Sequence, residues 1–147
     1  MNQNTGVYDV VLDPRDPNTL YATTWERMRL KWNDPRTFSD TRNCGVWKSV
    51  DGGRNWKEIN VGLPAPQNRG RIGIDVSLSN PDVLYLLLDN YEIAYIAKPG
   101  ELDSYGRQKQ DVIKGATVYR SDNAGASWKQ VSGLTEETKV YMERHSG

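Results

Sequence analysis

The sequence has one cysteine, one histidine and one phenylalanine among 147 residues. A single cysteine, Cys44, excludes an internal disulfide framework. Adding His145 still leaves too few ligands for a zinc site built from histidine and cysteine. Glycine-rich phosphate loops and other cofactor motifs are absent as well. The sequence therefore predicts no metal-binding residues and no cofactor.

An excess of charge and long apolar runs are also lacking. The 19 basic residues balance the 19 acidic ones, whereas a nucleic-acid-binding domain shows a basic excess or stripe. No stretch approaches the roughly 18 apolar residues that cross a bilayer as a helix. The segment Met1–Thr5 has neither the basic nor the apolar part of a secretory signal. We expect no nucleic-acid partner and no membrane span.

Aromatic residues, by contrast, are plentiful, with five tryptophans and eight tyrosines. These side chains suit half-buried β-strands. Their amphipathic rings also suit surfaces that stack on sugars or cations. The composition leaves both interpretations open.

Residues 8–21 and 72–85 match each other, with Tyr21 aligned to Tyr85. In each segment apolar residues alternate with others, which is the pattern of a half-buried strand. A cluster of Pro, Asp, Asn and Ser follows, as in a turn, and a second apolar run begins after it. Each segment therefore predicts a strand, a tight connection and a second strand.

A second pair of matching segments lies further along, at residues 46–57 and 118–129. The spacing of the repeat changes between the two pairs because the inserts 26–44 and 90–115 differ in length. Insertions at one point of each repeat map to loops on one face of a repeat fold. The predicted strands are Tyr8–Leu12, Leu20–Thr24, Val46–Ser49, Trp56–Val61, Ile72–Val76, Val83–Leu88, Thr117–Ser121 and Trp128–Val131.

Each unit carries the pattern Ser-x-Asp-x-Gly-x-x-Trp. The first copy consists of Ser49, Asp51, Gly53 and Trp56, and the second consists of Ser121, Asn123, Gly125 and Trp128. The Asp or Asn side chain accepts hydrogen bonds from backbone N–H groups of its own turn, and Gly permits a positive φ. We expect these residues to be structural and each indole to be buried under its turn. Trp56→Ala should then cost about 3–5 kcal/mol.

These motifs resemble the BNR/Asp-box repeat β-propellers, and most closely the bacterial sortilin-like proteins, a group that includes many named for glycosyl hydrolase BNR repeats. The similarity is carried by the stretches 13–21 and 45–56, and it covers about residues 6–133. It implies an all-β fold of two four-stranded antiparallel blades, a partial β-propeller. It also implies an extracytoplasmic location, secreted or periplasmic.

The two blades would occupy residues 1–61 and 62–134, and residues 135–147 would be a linker or the start of a further blade. Propellers usually have about four to eight blades. Because each blade covers the face of its neighbour, two blades leave two bare faces. We therefore interpret the chain as a two-blade fragment whose partners are the remaining blades or other copies of itself.

The two inserts contain the candidate ligand-binding residues. They are Trp25, Arg27, Arg29 and Trp32 in the first insert and Tyr91 and Tyr95 in the second. Aromatic rings beside guanidinium groups suit a sugar or an anionic peptide, through stacking and paired hydrogen bonds to a carboxylate. The alternative is an ordered connector whose tryptophans pack on a neighbouring blade.

Two functions remain open: a scaffold that binds a protein, peptide or glycan, or a fragment of a BNR-repeat glycoside hydrolase whose catalytic carboxylates lie mainly in missing blades. A glycosidase needs two carboxyl groups about 5–9.5 Å apart. Arg71 and Ile72 are followed by Gly73 instead of the proline of the sialidase signature, so no catalytic residue is carried over from the family. A close carboxylate pair would favour the enzyme, and an aromatic or basic patch without one would favour the binder.

Overall fold

The structure, a computed structural model, describes residues 2–27 and 43–133. Here the chain is all-β, with two four-stranded antiparallel sheets whose strand order follows the sequence. The first sheet contains β1 (Thr5–Asp13), β2 (Asp16–Glu26), β3 (Gly45–Ser49) and β4 (Lys57–Glu58); the second contains β5 (Arg69–Val76), β6 (Leu84–Tyr95), β7 (Val112–Ser121) and β8 (Lys129–Gln130). The prediction of two such sheets is confirmed. The proposed linker at 135–147 lies outside the described residues.

The hydrophobic core lies between the two sheets. Alternate residues of β5 and β6 point into it, because successive side chains of a strand face opposite sides. The core consists of Tyr21, Val46 and Ile59 from the first sheet and its β4 end, with Ile72, Ile74, Val76, Leu84, Leu86, Leu88, Tyr119 and Trp128 from the second. Packing of one sheet on the other therefore supplies the main apolar burial of the chain.

Polar contacts also join the two sheets. The Thr23 hydroxyl donates to the Ile72 carbonyl at 2.6 Å, and the Ile74 N–H donates to the Asp9 carboxylate at 3.1 Å. At the turn between β1 and β2, Arg15 contacts Asp13 of its own sheet and Asp82 of the other, at 2.8 and 2.9 Å. These bonds fix the lateral position of one sheet on the other.

The second insert was predicted to be a loop, and this prediction is wrong over much of its length. β6 and β7 continue their pairing through Ile93 opposite Ile113 and Tyr95 opposite Val112. β-branched and aromatic residues at these positions favour a strand. Tyr91 and Tyr95 are therefore strand residues of a long hairpin.

The outer strands β4 and β8 are shorter than the predicted Trp56–Val61 and Trp128–Val131, with two residues each. Beyond β4, the Asn60 side chain accepts the Val46 N–H at 2.8 Å, and Ser132 accepts the Val118 N–H at the same distance. In each sheet a side-chain oxygen thus accepts the N–H group that a backbone carbonyl would accept if the edge strand were longer.

The two Ser-x-Asp/Asn-x-Gly-x-x-Trp turns have the same internal geometry. In the first turn Ser49 Oγ accepts the Gly53 N–H, and Asp51 Oδ1 accepts the Asn55 N–H, both at 2.9 Å. In the second turn Ser121 and Asn123 accept the equivalent N–H groups at the same distances. Gly53 and Gly125 both have φ +85°, which is the left-handed region that glycine adopts without strain.

The expectation that both indoles are buried is wrong for Trp56. Its side chain is 37% exposed, whereas that of Trp128 is 5% exposed. The Trp128 indole donates to the Ile59 carbonyl of the first sheet at 2.7 Å, while the Trp56 indole donates to Gly53 of its own turn at 2.9 Å. The turn therefore buries only part of each indole. The rest of the burial comes from a neighbouring sheet, which among the described residues contacts Trp128 and not Trp56.

Candidate binding site

A solvent-open cavity of about 660 Å³ is lined by residues of both sheets. It is lined by Tyr8, Trp25, Arg27, Arg71, Gly73, Leu87, Asp89, Tyr91 and Ala116. The lining comes from β1, β2 and the residue after it in the first sheet, and from β5, β6 and β7 in the second. The site therefore exists only when the two sheets are packed together.

Irregularities in strand pairing place two of the cavity residues. The register of β1 against β2 shifts between Val7 and Asp9, which leaves Tyr8 as an extra residue. The register of β5 against β6 shifts between Arg69 and Ile72, in the segment that contains Arg71. A β-bulge redirects side chains and is frequent beside functional sites. Both bulges lie where the first strand of each sheet passes the cavity.

Arg71 lies over two aromatic rings at the cavity wall. Its guanidinium carbon is 4.5 Å from the centre of the Trp25 ring and 5.1 Å from that of Tyr8. The two rings meet edge to face, with centres 6.5 Å apart. Arg27 lies 5.7 Å from the Trp25 ring centre. The rings thus hold cationic groups by the attraction between a cation and an aromatic face.

Within residues 2–27 and 43–133, neither the Arg27 nor the Arg71 guanidinium has an ion-pair or hydrogen-bond partner. Each guanidinium carries five N–H donors in a planar fork. Ring contacts occupy the flat surface of a guanidinium and leave the donors at its edge available. The described part of the cavity therefore presents positive charge and hydrogen-bond donors to whatever enters it.

Tyr91 and Asp89 form the opposite, β6 side of the cavity. The Tyr91 ring is buried against Gly70, where an added Cβ would lie 2.5 Å from the Tyr91 hydroxyl. Burial, followed by the charge of Asp89 and a hydrogen bond to it, raises the pKa of Tyr91 to about 12. Tyr91 is thus a neutral phenol at physiological pH, and Asp89 contributes the only carboxylate among the described lining residues.

The structure brings together Trp25, Arg27 and Tyr91 from the predicted ligand-binding set. Tyr95 does not line the cavity; its hydroxyl donates to Glu101 at 2.6 Å, and Lys109 lies 5.0 Å from its ring centre. Arg29 and Trp32 lie outside the described residues.

Sequence reasoning missed three cavity residues, Tyr8, Arg71 and Asp89. Tyr8 was assigned to the first strand, and Arg71 was considered only as part of the sialidase signature. Both residues fit the alternation of apolar residues with others, so no local pattern indicated the two bulges. Asp89 had no signal of its own, because acidic residues near strand ends are usually solvated.

The part of the chain that the structure describes contains no group of three or more His, Cys, Asp or Glu side chains placed to hold a metal ion. None of its helices has the length and apolar character needed to cross a membrane. Comparisons with models of known protein families and with curated proteins found no match.

Proposed function

We propose that the two sheets are blades of an Asp-box β-propeller of the BNR type, and that the chain acts as a scaffold that binds a protein, peptide or glycan. The repeated turn motif, the equal geometry of the two turns and the face-to-face packing of consecutive four-stranded sheets support the propeller. The cavity lined by both sheets is the proposed ligand site.

The observation that carries the binding function is the placement of Arg71 over Trp25 and Tyr8 with its donors directed to no described partner. A guanidinium binds a carboxylate through two parallel hydrogen bonds, and stacking on rings orders it for that contact. The proposed ligand therefore carries a carboxylate. Asp89, on the other side, suits a hydroxyl or N–H donor of the same ligand.

The described lining does not favour glycoside hydrolysis. That reaction needs two carboxyl groups on either side of the scissile bond, whereas Asp89 is a single carboxylate among the described lining residues. The aromatic and basic character of the same surface agrees with a binder.

Binding is tested by presenting the purified chain to arrays of peptides and glycans, each acidic probe paired with an amidated or neutral analogue. We expect probes with a free carboxylate to bind at least about tenfold more tightly, because a charged hydrogen bond contributes roughly 1.5–3 kcal/mol. Arg71→Ala should remove this preference, and Arg71→Lys should restore it only partly, since lysine lacks the planar fork.

Arg107→Ala is the matched control. Arg107 also lies over a ring, 5.0 Å from the centre of Tyr105, but it is already paired with Asp103 at 2.9 Å. Its loss should leave probe binding unchanged. If Arg71→Ala keeps the affinity and carboxylate preference of the unaltered chain, the cavity is not the ligand site.

A further inference from the structure

Within residues 2–27 and 43–133, each sheet packs one face on the other sheet, and its second face is uncovered by the described residues. The first outer face, on the first sheet, consists of Val10, Leu12, Trp47 and Trp56. The second outer face, on the second sheet, consists of Tyr85, Leu87, Val118 and Val131. Val10 and Leu12 are 50% and 54% exposed, and Leu87 and Val131 are 56% and 49% exposed. Both faces are apolar surfaces of the kind that marks an interaction site.

The internal repeat gives the first outer face a counterpart that is already packed. Through the matching segments, its four residues correspond to Ile74, Val76, Tyr119 and Trp128 of the second sheet. All four counterparts are buried against the first sheet. The first outer face therefore has the residue types and positions of a surface that packs on another sheet of this kind.

The second outer face has a counterpart too. Its residues correspond to Tyr21, Thr23, Val46 and Ile59 of the first sheet, which receive the second sheet and are buried. Tyrosine matches tyrosine and valine matches valine. Val131 takes the apolar place of Ile59, whereas Leu87 replaces the polar Thr23. The two outer faces are thus the two halves of one interface, displayed at opposite ends of the pair of sheets.

One polar contact follows the same correspondence. Between the sheets, Lys48 lies 5.1 Å from the ring centre of Tyr21 and donates to the carbonyl of Ala124 at 3.2 Å. Its counterpart Arg120 lies 5.5 Å from the ring centre of Tyr85. Gly52 is the counterpart of Ala124 in the first turn. Arg120 thus also lies over an aromatic ring on the second outer face, although it is paired there with Asp122 at 2.5 Å. The carbonyl group that corresponds to its acceptor belongs to the first turn.

We infer that a second copy of this chain packs head to tail, with its first outer face on the second outer face of the preceding copy. The apolar contacts of the internal interface are then repeated between copies. The polar contacts of Thr23, Asp9 and Arg15 are not, because Leu87, Gly73 and Ser79 occupy the corresponding positions. The Trp56 indole donates to the Val131 carbonyl, as Trp128 does to Ile59, and Arg120 reaches the Gly52 carbonyl, as Lys48 reaches Ala124. Such a heterologous contact leaves one face free at each end, so that further copies add until a ring closes or, where the rotation does not close, an open filament forms.

This inference rests on the propeller part of the proposed function and not on the ligand of the cavity. The test uses two double variants in sedimentation velocity over a series of concentrations. Val10→Asp with Leu12→Asp disables the first outer face, and Leu87→Asp with Val131→Asp disables the second. Near-ultraviolet circular dichroism confirms that both variants keep the folded sheets.

We expect the unaltered chain to form species larger than a dimer and each variant alone to be a monomer, because every solution then lacks one of the two faces. An equimolar mixture should give a heterodimer and nothing larger, with affinity at least about tenfold above the self-association of either variant. In the unaltered chain, the NMR signals of the Trp56 indole N–H and of Val131 should shift together with concentration.

Three outcomes overturn the inference. The first is that the unaltered chain stays monomeric at concentrations up to about 1 mM, which corresponds to the weak end of specific affinity. The second is that one variant still self-associates, which would show contact between two copies of the same face. The third is that the equimolar mixture of the two variants remains monomeric although the unaltered chain associates. If the substituted chains fail to fold, the NMR shifts decide alone, and shifts that exclude Trp56 and Val131 count against it.

Discussion

The two Ser-x-Asp/Asn-x-Gly-x-x-Trp turns have the same hydrogen bonds and differ in their surroundings. Trp128 is 5% exposed because its turn packs on the first sheet, whereas Trp56 is 37% exposed although its own turn is equally well formed. Gly125 lies against Ile59 and Tyr21, while the nearest atom to a Cβ on Gly53 belongs to its own Trp56. A local motif thus determines the shape of a hairpin, and the packing of a neighbouring sheet determines how much that hairpin contributes to the stability of the fold.

The largest expected effect separates the two tryptophans. Trp128→Ala should lower the free energy of unfolding by about 3–5 kcal/mol, because it empties a buried site between the sheets. Trp56→Ala should cost about 1 kcal/mol in dilute solution, near the centre of the range for single substitutions, because its ring is only partly covered. Urea unfolding at low protein concentration measures both.

This pair corrects the sequence-based estimate, which gave Trp56→Ala the full cost of a buried indole. Equal losses at the two positions would show that the turn alone buries the ring and that the neighbouring sheet adds little. The comparison between the turns would then be invalid.

The two glycines give the next largest contrast. Alanine at either position is strained, since φ is +85° at both, and a left-handed conformation costs about 1–2 kcal/mol. At Gly125 the new Cβ would also lie 2.5 Å from Ile59 Cδ1, whereas at Gly53 the nearest atom is at 3.6 Å. Gly125→Ala should therefore cost about 1–3 kcal/mol more than Gly53→Ala.

The same unfolding measurements test this difference. Gly125→Ala combined with Ile59→Val removes the clashing Cδ1 atom, so the excess over Gly53→Ala should shrink. If Gly125→Ala still destabilises the chain more than Gly53→Ala when Ile59 is replaced by Val, contact with Ile59 is not the cause of the difference.

The smallest expected effect is on the stability at acidic pH. The two turns should differ in it because the first contains Asp51 and the second contains Asn123 at the same position. Hydrogen bonds from the Asn55 backbone and side chain and from Ser49 lower the pKa of Asp51 to about 2. The unfolded value is about 3.9. The contribution of Asp51 is therefore fully present above about pH 4 and is lost as the pH falls through about 2.

Unfolding at pH 5, 4, 3 and 2 checks this sign. The difference in stability between the unaltered chain and Asp51→Asn should decrease as the solution is acidified. Asn123→Asp should give the second turn the acid sensitivity that it lacks. Identical pH profiles for the unaltered chain and Asp51→Asn would contradict the role assigned to the Asp51 carboxylate.

Much of the fold could be predicted because its signals are local. The alternation of apolar residues with others predicted β5 and the start of β6. The Ser-x-Asp-x-Gly-x-x-Trp spacing predicted the positions of both hairpin turns. The extension of β6 to Tyr95 was missed because the insert was treated as a loop from its variable length. The brevity of β4 was missed because a side chain, Asn60, replaces a backbone acceptor, and residue patterns do not show such substitutions.

The candidate site was predicted only in part. Trp25, Arg27 and Tyr91 were found from composition, since aromatic and basic residues are concentrated in the inserts. Arg71 was missed because its importance comes from a bulge in β5 and from rings on the first sheet. Residues far apart in sequence meet there, and no local pattern contains that information.

The sequence by itself determined the strands, the two hairpin turns and the repeat, because hydrogen bonds within a few residues and alternating side chains define them. The tertiary structure decided which tryptophan is buried, which arginine lies over the aromatic rings and which faces remain uncovered. Those properties depend on the packing of one sheet against another, since burial and charge contacts arise only between surfaces that the chain brings together.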